Sequence, residues 1–113
     1  MAENCLFCKI VRGEIPATIV FQNDRVVAFR DIKPEAPTHI LIVPREHIPS
    51  MNEANDAAMI GDLALTAAQL AKTEGIAESG YRTVMNTNRD AGQTVFHLHM
   101  HLLGGRSMAW PPG

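Results

Sequence analysis

Three of the chain's five histidines, His97, His99 and His101, fall at every second position of the segment FHLHMHLL, residues 96–103. In a β-strand, side chains two residues apart share one face, with about 6.5 Å between their Cα atoms. A strand here would present a row of imidazoles on one side and send Leu98, Met100 and Leu102 into a core on the other. Two chemistries suit such a row. Imidazole is the commonest metal ligand, and histidines alternating along a strand can ligate zinc. A neutral imidazole also attacks phosphorus, giving a covalent intermediate that water later opens. Its neighbours can then donate to the phosphate oxygens where charge grows. No acidic helper lies in or beside the run, which weighs against a catalytic zinc held by all three histidines. The preceding Gly92-Gln93-Thr94 adds backbone N–H groups and a hydroxyl, donors suited to an anion, so phosphate fits better. The spacing by itself still admits metal, phosphate or an ordinary polar strand face.

A second group of chemically capable residues is Cys5-x-x-Cys8, the only two cysteines. Thioredoxin-like redox chemistry would place that motif at a strand-to-helix junction of a βαβ unit, and no strand precedes it. A structural zinc would need two further ligands. The plain alternative is a pair of buried thiols.

These residues must be held by a small set of elements. CLFCKIVR, residues 5–12, puts Leu6, Phe7, Ile10 and Val11 at helical spacing, with a stop at Gly13. ATIVFQ (17–22) and RVVAFRDI (25–32) read as a hairpin about the Asn23-Asp24 turn. THILIVP (38–44) is apolar enough for a central strand, closed by Pro44. One long helix is expected over 55–74, capped by Asn55 and stopped at Gly75, with Met59, Leu63, Ala67 and Leu70 on its inner face. A start at Ser50, with Glu53 completing a capping box, is the alternative. YRTVMN (81–86) and VFHLHMHLL (95–103) read as the last strands, around the polar loop TNRDAGQT. The order predicts an α+β fold, an antiparallel sheet with the helices packed on one side.

Composition narrows the function. The 113 residues, expected to form one domain over 1–113, are 46% hydrophobic and 19% charged, enough apolar material for a core. A formal net charge of −2 argues against a charge-driven nucleic-acid binder. No apolar run reaches the roughly 18 residues of a membrane span. The absence of a basic leader before an apolar segment, and only two cysteines, suggest a reducing compartment, with the cytoplasm as the expected location.

His97-Leu98-His99-Met100-His101-Leu102-Leu103 resembles the signature of the histidine triad (HIT) family. AFRDIKPEAPTHILIVPREHI resembles that family's central segment, and AGQTVFHLHMHLLGGRSMAWPPG the C-terminal end of its Hint branch, the nucleoside phosphoramidases. The resemblance implies a five-stranded antiparallel sheet with one long and one short helix, continued across a homodimer. It also implies hydrolysis of a purine nucleoside 5'-phosphoramidate through a nucleotidyl-histidine, with no metal required for catalysis. A dinucleoside polyphosphate hydrolase of the same fold, or a nucleotide-binding regulatory module, is the alternative. Carried over, His99 is the nucleophile, His101 holds the phosphate, His97 completes the triad and His39 supports it. Asp31 receives the ribose hydroxyls and Ile32 lines the base. Asn86, Gly92, Gln93 and Thr94 form the phosphate-side loop. Leu6, Phe7, Ile10 and Phe29 form the base pocket, and Trp110 reaches toward the partner's site. The resemblance to several bacterial members implies that the positions of His47 and His97 complete a zinc site with the two cysteines, which makes Cys5, Cys8, His47 and His97 the candidate ligands of a structural zinc.

Overall fold

The computed structural model describes residues 4–113. Five strands, β1 (Ile19–Gln22), β2 (Val26–Arg30), β3 (Thr38–Pro44), β4 (Tyr81–Val84) and β5 (Met100–Gly104), form one sheet in the order β1-β2-β3-β5-β4. Every neighbouring pair is antiparallel. β3 is central and buried along its whole length, as the apolar run ILIV at 40–43 requires. The chain leaves β3 through the long helix α2 (Ala57–Thr73), forms the edge strand β4, and returns as β5 between β4 and β3.

Strand alternation divides the core in two. Val26, Ala28, Ile40, Ile42 and Leu102 face α2, where Met59, Leu63, Ala67 and Leu70 cover them. Val27, Phe29, Leu41 and Val43 face the other way and are covered by Phe7 and Ile10 of the short helix α1 (Leu6–Val11). The helices therefore lie on opposite faces of the sheet, not on one side as expected. The apolar odd-numbered positions of β2 and β3 demand cover of their own, and α1 is short enough to give it while leaving part of that face open.

α2 starts one residue later than expected. Asp56, not Asn55, is the N-cap; its Oδ1 accepts the N–H groups of Ala58 at 3.0 Å and Met59 at 3.3 Å. The Ser50/Glu53 pair caps a separate 3₁₀ turn, Met51–Glu53, with Ser50 Oγ accepting the Asn52 N–H and donating to Glu53. Gly75, at φ +76°, ends α2 as expected, and Ile76 N–H closes back on the Ala71 carbonyl at 2.9 Å. Ile76 then fills the space that a side chain at Gly104 would need.

β1, β2 and β4 are shorter than expected, and the largest difference lies at the histidines. The regular strand β5 begins at Met100, so residues 95–99 run outside the ladder. Pairing with β3 proceeds from Thr38↔Gly104 to Ile42↔Met100 and stops there. Two residues further, β3 ends at Pro44, which has no N–H to offer. The Pro44 carbonyl is taken instead by the ring of His97 at 2.8 Å. Of the three alternating histidines, only His101 stands on a regular strand.

Candidate active site

On the α1 face, between the ends of β2 and β3 and the entrance to β5, lies a cleft of about 270 Å³. Leu6, Phe7, Ile10, Phe29, Asp31, Ile32, Thr94, His99 and His101 line it, as do Ile15, Pro16, Ala17, Arg30, Leu41 and Val95. Its floor is apolar, and its polar groups converge on His99 and His101. The Phe7 ring meets the His99 ring edge-on at 5.0 Å and Phe29 at 5.4 Å, so one side chain of α1 steadies both the apolar wall and the imidazole.

The proton positions of the histidines follow from partners that can act in only one way. His99 Nδ1 lies 2.7 Å from the His97 carbonyl, which can only accept. Nδ1 therefore carries the proton and Nε2 keeps its lone pair. Burial holds the His99 pKa below its ordinary value, against the opposing pull of that hydrogen bond and of Asp31, so the ring stays neutral. His39 Nδ1 receives the backbone N–H of Glu35 at 3.0 Å, so its proton is on Nε2. That Nε2–H points at His101 Nδ1, 2.9 Å away, with an Asp31 carboxylate oxygen at 3.4 Å. His101 must then carry its own proton on Nε2, and burial together with His99 and His39 pushes its pKa down to about 4. The pair is thus differentiated: His99 offers a lone pair, and His101 offers an N–H. His39 and His101 can meet because Leu41 opposes His101 in the ladder, which places His39, two residues earlier, on the same face.

Asp31 leaves β2 into a tight turn, its Oδ1 accepting the Lys33 N–H at 2.8 Å. Ile32 beside it is 90% exposed, an apolar side chain held in solvent at the cleft mouth. In the loop before β5, Thr94 lines the cleft, but Asn86, Gly92 and Gln93 do not. Gln93 is buried and fully engaged within the loop. Its carbonyl oxygen accepts the Asn88 N–H at 2.9 Å, and its amide donates to Pro49 at 2.8 Å and Val95 at 3.1 Å. It braces the loop rather than reaching the cavity. Trp110 also lies away from this cleft, 81% exposed, with the Arg82 guanidinium 6.0 Å from its ring centre.

His97 turns out of the row. Its ring is completely buried, its Nε2–H donates to Pro44, and its Nδ1 lies 3.4 Å from the Sγ atoms of both Cys5 and Cys8. His47 Nδ1 is 3.2 Å from Cys8 Sγ, and the four ligand atoms all lie within 4.8 Å of one another. One residue therefore serves two centres, the ring facing the thiols and the carbonyl fixing the nucleophile.

The family model for the HIT domain matches residues 12–108. The chain belongs to the HIT family. Over 110 residues it is 56% identical to the purine nucleoside phosphoramidase of Escherichia coli K12, covering 96% of this chain and 92% of that protein. It is 54% identical to an uncharacterised HIT-like protein of Synechococcus elongatus over the full length of both. Among solved structures, a HIT family hydrolase from Legionella pneumophila superposes with a TM-score of 0.95 at 54% identity, covering 97% of this chain and 100% of that one.

In this HIT chain, sequence patterning missed the backbone partners that set the proton positions, Glu35 N–H and the carbonyls of Pro44 and His97. Every residue carries such groups, so no side-chain pattern marks them. Leu41 carried a usable signal, since it shares strand alternation with His39. Arg30 reaches the cleft wall, yet its guanidinium is spent on a two-pronged pair with Glu74 at 2.9 and 3.0 Å.

Proposed function

We propose that this HIT protein hydrolyses purine nucleoside 5'-phosphoramidates. The observation that carries the reading is the neutral His99 whose Nδ1–H is tied to a backbone carbonyl, leaving Nε2 as a nucleophile in a cleft. In the first step Nε2 attacks the α-phosphorus. The bond from phosphorus to the amine breaks, and the amine nitrogen takes that electron pair and a proton from solvent. In the second step water attacks phosphorus, giving up a proton to solvent, and His99 leaves with the electron pair of its bond to phosphorus. The sum is one phosphoramidate plus one water giving nucleoside monophosphate and amine. The His101 Nε2–H is a donor for a phosphoryl oxygen, where preorganised hydrogen bonds give the most transition-state stabilisation. Asp31 is suited to ribose hydroxyls, and the apolar floor with exposed Ile32 to a flat base. The name of the E. coli relative supports the same substrate class. Rates on adenosine 5'-phosphoramidate and a diadenosine polyphosphate, measured side by side, test it. Faster turnover of the polyphosphate would overturn the reading.

We further propose that Cys5, Cys8, His47 and His97 hold a structural zinc. The donor set fits. Two thiols and two ring nitrogens are spaced 3.2–3.4 Å apart where contacts are made, near the roughly 3.5 Å between ligands of a tetrahedral zinc, and His97 Nε2 is already satisfied by Pro44. Burial and the neighbouring Cys5 push the Cys8 thiol up to about 11. Zinc, when bound, would supply the charge that makes both sulfurs thiolates and would tie α1 to the segment carrying the nucleophile. A homodimer through β4 is the matching proposal for assembly. Among the described residues β4 pairs only with β5, which leaves its other edge for a second copy. No helix among the described residues is long and apolar enough to cross a membrane.

A further inference from the structure

The proton on His101 depends on a hydrogen-bonded series that begins outside the cleft. In the segment 32–37 neither Pro34 nor Pro37 has an N–H to donate. Glu35 N–H is the group that faces His39 Nδ1. The carbonyl of the same residue is held by Arg106 Nε at 3.0 Å, while Arg106 also donates to the Ser107 carbonyl. One residue earlier, Gly105 lies against Pro37 so closely that a Cβ there would stand 2.9 Å from the proline Cβ, and its φ of +91° favours glycine in any case.

We infer that Arg106, seated by Gly105, is a positioning residue for catalysis: by clamping the Glu35 backbone it fixes the His39 proton on Nε2 and so keeps His101 a donor toward the substrate. The inference rests on the phosphoramidase reading of the site. The physical reason is that Glu35 is gripped at both ends, its N–H by His39 and its carbonyl by a permanent cation. The carbonyl and the N–H belong to different peptide units joined at the Glu35 Cα, so without the clamp Glu35 can swing away and withdraw its N–H from His39 Nδ1. The ring is then free to carry its proton on either nitrogen, and His101 Nδ1 loses the fixed N–H it accepts. Arg106 is exposed, so its removal takes no buried side chain from the core while releasing the loop.

The test combines kinetics with nitrogen NMR on the full chain. Arg106→Ala is expected to lower kcat on adenosine 5'-phosphoramidate by about tenfold, equivalent to one hydrogen bond of positioning energy, with KM nearly unchanged. Long-range ¹H–¹⁵N spectra are expected to show His39 protonated at Nε2 in the native chain and a mixture of tautomers in the variant. Arg106→Lys, which keeps a donor and the charge, should restore part of both. An unchanged His39 tautomer in Arg106→Ala, or a kcat within about twofold of native, overturns the inference, as does a loss expressed only in KM. Because the spectra need no substrate, they report on the clamp even if phosphoramidates prove to be poor substrates.

Discussion

Acid should destabilise the metal-free protein through His97 in particular. Its ring is fully buried, and burial with the nearby His47 and His99 lowers its pKa from 6.5 to about 4, despite the hydrogen bond to Pro44. A histidine depressed in the folded state binds fewer protons there than in the unfolded chain, so stability falls as pH drops from 6.5 toward 4 and is unaffected above that window. The lowering from 6.5 to about 4 corresponds to roughly 3 kcal/mol, most of it lost by pH 4.5. The other buried histidines act in the same direction, so a double difference isolates His97. Urea unfolding of chelator-treated native and His97→Asn proteins, each at pH 7 and pH 4.5, should show an acid-induced loss smaller by about 2 kcal/mol in the variant. NMR titration should find the His97 ring uncharged at pH 5.5. Equal acid losses in the two proteins, or a ring that titrates near 6.5, would refute the reasoning.

Phe7→Ala removes a buried ring packed on Phe29 and His99, so chemical denaturation should show a loss of about 3–5 kcal/mol. Its KM for the nucleotide substrate should rise as the apolar wall is lost. Asp56→Ala deletes the cap of α2 and should cost about 1 kcal/mol in the same assay with no change in kcat, whereas Asn55→Ala should be silent. Metal analysis of untagged protein never exposed to chelator should find about one zinc per chain, lost in Cys8→Ser. Less than roughly a tenth of an equivalent would dismiss the zinc site.

Much of this fold was legible because β3 carries the apolar run ILIV at 40–43 and α2 has a regular inner face. The cover on the second sheet face was not. Phe7 and Ile10 were expected as pocket wall, and the structure makes them core as well, packed against Phe29 while lining the cleft. The alternation of the triad correctly marked a site but suggested one strand face. Pro44 cuts the ladder short of His99 and His97, and a proline on the neighbouring strand acts only through a pairing register that sequence does not display. Asn86 and Gln93 have the right chemistry for phosphate, yet Gln93 is consumed by its own loop, where three hydrogen bonds outweigh exposure to solvent. Cys5, Cys8, His47 and His97 were separable in sequence and meet only in three dimensions. His97 belongs to both centres because its ring and its carbonyl point to different partners.

The central claim is that His99 Nε2 becomes bonded to phosphorus during turnover. Rapid mixing with adenosine 5'-phosphoramidate, quenching under conditions that preserve phosphorus–nitrogen bonds, and peptide mass spectrometry measure it directly. The expected result is an adenylyl adduct on His99, formed and consumed at rates compatible with turnover and absent in His99→Ala. Turnover with no adduct, or an adduct on His101, would contradict it.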